Sequence, residues 1–259
     1  MSPRVRLTRE PAVHALRRLQ AGSIDVLITD PPYATVDRHS STGSHLRRWF
    51  RGSQSWVEIG RVLRLARSRM AVDGIAFVMT NQAGLEGALQ AVRGAGFVEP
   101  IRVITWDRRA PGLGSGLRHQ VEYIVVGRLP GSRALTGSDL ISIASLGPNT
   151  ANRYPTQKPD DLGRALAKVA RVRRTDTVVD PFCGAGGLLV GAAERGATVI
   201  GSDISARAIG LAGSRLQTAA RTRAPTSLEG RRGRAEPASR KSARRPPNGA
   251  KQAKPKAKP

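Results

Sequence analysis

The chain has 259 residues, with 43 Lys and Arg against 19 Asp and Glu, a formal net charge of +24. This length suffices for one sizeable core, and the charge favours a polyanionic partner while saying nothing about fold. One cysteine excludes an internal disulfide framework, and with four scattered histidines it offers no zinc spacing. No apolar run of about 18 residues and no secretory h-region occurs, so a cytoplasmic protein without a membrane segment is expected.

Residues 4–8 (RVRLT) read as a short strand, and Pro11 opens a helix with Val13, Leu16 and Leu19 on one side. Residues 24–29 (IDVLIT) form an apolar strand that ends at Asp30. Residues 34–54 are rich in Ser, Gly and Arg and read as a mobile loop. Arg38, His39, Arg47, Arg48, Trp49, Phe50 and Arg51 make a basic, aromatic cluster there, fit either to close on nucleic acid or to cap the core.

From Ser55 a helix carries Val57, Ile59, Val62, Leu63 and Leu65. A strand at 74–80, a helix at 83–93 ending at Gly94, and two strands at 98–106 and 121–126 follow. Then come a helix at 160–172, a strand at 177–179, a helix at 187–195 and a strand at 198–201. Ser205 caps a last helix with Ile209, Ala212 and Leu216 inward. Residues 218–259 hold 13 Lys/Arg, two acids and six prolines, with Leu228 the one large aliphatic side chain. Such a segment cannot bury enough apolar surface to order itself. It reads as a disordered basic tail that either attracts phosphates without sequence preference or merely aids solubility.

Alternation of this kind predicts an α/β fold, a Rossmann-like, doubly wound, mostly parallel sheet over residues 1–217. Ligands in such sheets sit beyond the carboxyl ends of the strands, where both sharp motifs of this chain begin. After the strand at 177–179 comes Asp180-Pro181-Phe182-Cys183-Gly184-Ala185-Gly186-Gly187. Its glycines let backbone pass close to a bound nucleoside, and Asp203, 19 residues after Gly184, can accept both ribose hydroxyls. A dinucleotide fingerprint would need a third glycine where Leu189 stands. Asp180 suits the ammonium of a methionyl group; a plain tight turn is the bland alternative.

Asp30-Pro31-Pro32-Tyr33 is the catalytic candidate. An aromatic exocyclic amine is a poor nucleophile because its lone pair is delocalised into the ring. Accepting hydrogen bonds from both N–H groups favours a tetrahedral nitrogen with its lone pair free. The Asp30 carboxylate and the Pro31 carbonyl can do this, Pro32 fixes the turn, and Tyr33 offers a face on which an extruded base stacks. A strand-terminating turn is the alternative. Cys183, the one thiol, lies inside the glycine loop and is expected to pack as a small apolar group rather than act as a nucleophile.

In this order the motifs resemble the beta class of amino-methylating DNA methyltransferases, a circularly permuted version of the class I methyltransferase arrangement. Gly22 to Tyr33 (GSIDVLITDPPY), Tyr154-Pro155-Thr156-Gln157-Lys158-Pro159, Val179 to Gly187 (VDPFCGAGG) and Gly201-Ser202-Asp203 carry the resemblance. Trp106-Asp107-Arg108 and Arg118 to Tyr123 (RHQVEY) match more weakly. The resemblance implies S-adenosylmethionine as cofactor, with Thr156, Lys158, Pro159, Asp180, Phe182, Gly184, Gly186 and Asp203 around it. It implies methylation of adenine N6 in DNA by Asp30, Pro31, Pro32 and Tyr33, with cytosine N4 as runner-up. A catalytically silent nucleic-acid-binding protein and an RNA methyltransferase are the readings from other classes. The stretch 130–153 would be a short target-recognition insert, and a homodimer is compatible with so small an insert. No nuclease motif is evident, which fits a modification enzyme acting alone; a restriction–modification role with a nuclease partner is left open. Three departures stand out: Thr8-Arg9-Glu10 where relatives carry Gly-Asp, Gly187 where a small hydroxyl is common, and Tyr154 where His is frequent.

Overall fold

The computed structural model describes residues 4–33, 54–112, 116–146, 154 and 157–222. The strands are β1 (Val5–Arg9), β2 (Ile24–Thr29), β3 (Met70–Thr80), β4 (Arg102–Asp107), β5 (Val121–Arg128), β6 (Leu140–Ser142), β7 (Thr177–Asp180) and β8 (Thr198–Asp203). The helices are α1 (Ala12–Arg17), α2 (Trp56–Arg67), α3 (Leu85–Gly94), α4 (Asp160–Val169), α5 (Val190–Glu194) and α6 (Ala206–Arg221). A 3₁₀ turn, Gly187–Leu189, leads into α5. The strands form one sheet in the order β1-β8-β7-β2-β3-β5-β4-β6. β5 runs against both its neighbours, and the other pairings are parallel. The doubly wound, mostly parallel α/β sheet expected from the alternation is what forms.

Helices cover both faces. Val26 and Ile28 of β2 pack in the layer that holds Leu162, Leu166, Leu188, Val190 and Leu216. Leu27 faces the other way, toward Leu16, Ile59, Leu63 and Val92. Because side chains alternate across a strand, covering both faces demands a nearly continuous apolar run. That is why 24–29 is legible as a strand. α2 opens on a capping box: the Ser55 hydroxyl accepts from the Glu58 amide, and the Glu58 carboxylate accepts from the Ser55 amide at 2.7 Å. Ser205 caps α6, accepting from the Ala208 amide at 3.3 Å.

Several boundaries differ from the sequence expectation. The strand expected at 98–106 begins only at Arg102, since Pro100 has no N–H to give a ladder. The helix expected at 187–195 is a 3₁₀ turn followed by α5. α6 runs to Arg221 with Ala219 buried, so a tail starting at 218 would cut into its last turn. β6 pairs with β4 within the stretch read as a recognition insert. Arg133, from the same stretch, is anchored at the amino ends of the strands, where it pairs with Asp176 (2.5 Å), Asp73 (3.1 Å) and Asp25 (3.6 Å). Residues 147–153 of that stretch, most of the loop 34–54, and the tail from 223 onward lie outside the described residues.

From β7 the chain crosses to β8 on one side, and from β2 it crosses to β3 on the other. β7 and β2 are themselves neighbours, with Val26 opposite Val178 and Leu27 opposite Val179. The topological switch point therefore lies between them, and a crevice at such a point is where ligands bind in open α/β sheets. Asp30 and Asp180 stand at the carboxyl ends of these two strands.

Candidate active site

The Asp30 segment leaves β2 through a three-residue turn in which the Tyr33 amide donates to the Pro31 carbonyl at 2.8 Å. Proline's fixed φ at position 32 suits this turn. The carbonyl keeps a second lone pair for another donor. The Gln54 amide donates to the Pro32 carbonyl at 2.8 Å, tying the far end of the loop back to the motif. The Tyr33 ring stacks on Trp56 of α2, with centroids 5.5 Å apart and planes 14° from parallel. Its hydroxyl bonds the Asn81 backbone at the end of β3; burial first, and the charge of Asp30 next, push that hydroxyl well above its ordinary pKa.

Trp56 belongs to none of the sequence motifs. It lies against α3 where two glycines make room: a Cβ on Gly87 would collide with the indole ring, and one on Gly84 with Trp56 Nε1 and the Thr80 hydroxyl. The i, i+3 spacing of Gly84 and Gly87 is the available signal.

On the β7 side, Asp180 is buried, and its Oδ1 accepts from the Thr29 hydroxyl (2.9 Å) and the Phe182 amide (3.0 Å). Burial raises this carboxyl to about 8; the two hydrogen bonds oppose the rise, and Asp30 and Asp203 add to it. Gly184 (φ +50°) and Gly186 (φ +80°) take the left-handed backbone conformations that favour glycine. The Gly184 amide donates to Asp203 Oδ2 at 3.1 Å, and the Ser205 amide to Oδ1 at 2.8 Å. Asp203 is raised chiefly by burial, against these two bonds. Tyr154 packs with Ala185 and Ala208 beside Gly184. Burial, then the charge of Asp203, push its hydroxyl up to about 12. Phe182 is partly buried against the core face that holds Val179. Cys183 is buried against Gly201, and burial raises its thiol well above the ordinary range, as an inert packing group requires.

Lys158 joins the two halves. Its carbonyl abuts Gly187, where any Cβ would collide with it, and the next residue, Pro159, is the N-cap of α4. Gly187, a departure from the family pattern, is thus required by this contact. The Lys158 ammonium reaches across to Asp30 Oδ2 and lies 3.7 Å from Glu122 Oε2 at the start of β5. Burial alone would depress the ammonium, but Asp30, then Glu122 and Tyr33, outweigh it and leave it raised. Glu122, visible in the sequence only as a signpost, is held on its other oxygen by Arg108 at 3.3 Å. Asp30, Tyr33, Lys158 and Glu122 therefore meet at one place, beside Asp180. Thr156 lies outside the described residues.

This donor set fits S-adenosylmethionine. Asp203 is an acceptor at a strand end with lone pairs left for a ribose diol, Asp180 is an anion for an ammonium, and the glycine backbone between them bears no side chains. Among the described residues no group of His, Cys, Asp and Glu could hold a metal ion, and no helix is long and apolar enough to cross a membrane.

Comparison with known proteins agrees. Residues 152–233 match the family described as "RMKL-like, methyltransferase domain", less than half of the chain. The tRNA (guanine(10)-N2)-dimethyltransferase of Methanocaldococcus jannaschii is 52 % identical over 46 residues, 18 % of this chain and 13 % of that protein. The chain thus spans only a small part of that relative. The Type II methyltransferase M2.LlaDCHI of Lactococcus lactis subsp. cremoris is 25 % identical over 236 residues, covering 79 % of this chain and 86 % of that one. Among solved structures, the putative DNA modification methylase TTHA0409 of Thermus thermophilus, in complex with S-adenosyl-L-methionine, superposes with a TM-score of 0.62 at 21 % identity, over 83 % of this chain and 94 % of that one. The PvuII DNA methyltransferase (cytosine-N4-specific) gives 0.63 at 13 % identity, over 85 % and 93 %. The fold is that of the S-adenosylmethionine-dependent methyltransferases. Within that class, the resemblance to DNA methyltransferases read from the motifs is borne out by these relatives and neighbours.

Proposed function

We propose that this chain is an S-adenosylmethionine-dependent DNA methyltransferase that modifies the exocyclic N6 of an extruded adenine. One observation carries the reading: the Asp30 carboxylate, at the end of β2, stands at the switch point beside Asp180, at the end of the adjacent β7. S-adenosylmethionine, when bound, supplies an electrophilic methyl group whose bond to sulfur breaks as the N–C bond forms. The protein's part is to present the nitrogen. Asp30 and the Pro31 carbonyl accept the two amine N–H bonds, localising the lone pair; as the new bond completes, one of those protons passes to the Asp30 carboxylate that already accepts it, and from there to water. Tyr33, backed by Trp56, offers its ring for stacking, worth about 1–3 kcal/mol per base in comparable sites. Asp180 and Asp203 hold the two polar ends of the cofactor. Cytosine N4 is the second reading, favoured by the likeness to the PvuII enzyme, because the same two acceptors serve either amine.

The test is methyl incorporation from labelled cofactor into unmethylated duplex DNA. Asp30→Ala is expected to cut the rate on the order of 100-fold or more, as loss of a preorganised group at the reacting atom does, with cofactor affinity largely kept. A variant that keeps its rate would contradict the assignment of Asp30.

A further inference from the structure

Lys158 holds an unusual position for a residue expected only to border a cofactor. Its backbone is fixed between the glycine loop and the start of α4, yet its ammonium sits on the carboxylate assigned to the target amine. An ammonium has three donors. One goes to Asp30 Oδ2, a second faces Glu122 Oε2 at 3.7 Å, and the third has no partner among the described residues. Glu122 Oε2 is itself buried without a hydrogen-bond partner, so it holds the lysine by charge alone. Asp30 Oδ1 has no partner among the described residues either. With side-chain exposures of 20 % for Asp30 and 11 % for Lys158, the pair is partly enclosed yet still reachable by a ligand.

We propose that Asp30 and Lys158 together form an acceptor–donor pair that reads the Watson–Crick edge of the target base, Asp30 Oδ1 taking an exocyclic N–H and Lys158 donating to the neighbouring ring nitrogen. This rests on the amino-methyltransferase reading and narrows its substrate. Adenine presents N6–H beside the N1 acceptor, and cytosine presents N4–H beside the N3 acceptor; both match. Guanine places its N2 amine beside N1–H, donor next to donor, so the ammonium would face a proton. A buried polar group left unpaired is penalised more heavily than a hydrogen bond is rewarded. On the Watson–Crick edge the pair therefore rejects guanine N2, the atom for which the Methanocaldococcus relative is named, and guanine could satisfy it only by presenting its N3 side. Since Asp30 and Glu122 keep Lys158 protonated, the donor persists across the neutral range.

The experiment compares duplex DNA copied in vitro with ordinary triphosphates against copies in which 1-deazaadenine replaces adenine or 3-deazacytosine replaces cytosine. Each analogue keeps the exocyclic amine and loses the ring acceptor. Methyl incorporation is measured with the wild-type chain and with Lys158→Met. For whichever base the wild type modifies, the matching analogue should lower kcat/KM on the order of tenfold to a hundredfold, the range for a lost hydrogen bond to a charged donor. Lys158→Met, already slow, should show no further loss on the analogue. If that variant fails to fold, the sensitivity of the wild type to the analogue still decides. Equal rates on the analogue and its parent base would overturn the pair while leaving the amino-methyltransferase reading in place. Label on guanine N2 would overturn it as well. A wild-type chain that modifies neither adenine nor cytosine would remove both readings.

Discussion

Asp180 places a titration inside the proposed cofactor site. Its carboxyl is pushed up to about 8, chiefly by burial, so the unliganded protein carries it largely protonated at neutral pH. A cationic ammonium pairs with the ionised form. Cofactor affinity should therefore rise toward pH 8, by up to roughly tenfold per pH unit below that point, and fall again as the cofactor's ammonium itself loses its proton. Binding at pH 7 should release a proton, read by calorimetry in two buffers of different ionisation enthalpy. Asp180→Asn should weaken binding and abolish the dependence; affinity independent of pH in the wild type would show that Asp180 does not hold the cation. For the unliganded fold the sign is opposite. The unfolded chain ionises first, so stability falls as pH rises from the ordinary carboxyl range toward 8. At this scale, Asp30, Asp180 and Asp203 are legible because each ends an apolar strand. The meeting of Lys158 with Asp30 and Glu122 is not, because residues 30, 122 and 158 come together only through sheet order.

Two glycine seams decide how the elements sit. Along α4 and the turn into α5, a Cβ on Gly163 would strike the Gly187 carbonyl, and one on Gly191 the backbone of Arg164 and Gly163. Backbone cannot yield as a side chain can. Gly191→Ala is expected to destabilise the fold by about 1–3 kcal/mol, as overpacking does, lowering Tm by roughly 2–4 °C per kcal/mol for a domain this size. An unchanged melting curve would mean the seam opens freely. The second seam holds Trp56. Gly87→Ala drives a methyl into the indole and so shifts the partner of Tyr33. Methyl transfer to DNA should fall while cofactor affinity stays, separating the stacking platform from the cofactor loop; loss of cofactor binding alone would assign Trp56 elsewhere. Strands covered on both faces are readable from composition. The three-residue β6 and the 3₁₀ break at Gly187 are not, since so few residues carry no period and the break answers to the contact with Lys158.

Over the whole molecule, charge and fold divide the work. Residues 223–259, outside the described structure, carry twelve Lys and Arg against two acids. Removing them, while leaving α6 intact to Arg221, should weaken DNA binding and flatten its salt dependence, the log–log slope falling by roughly 0.9 for each phosphate no longer neutralised, with turnover retained. An unchanged slope would make the segment a bystander. The doubly wound sheet is legible because alternation and strand-end motifs agree. What a target-recognition surface looks like is not, because base readout depends on a few side chains in loops rather than on any pattern. The central claim concerns chemistry on one atom, so its most direct measurement is the identity of the methylated nucleoside. DNA incubated with the full chain and labelled cofactor, digested and resolved by mass spectrometry, should yield N6-methyladenine, with RNA left unlabelled. Label confined to RNA, or found on carbon 5 of cytosine, would contradict the account.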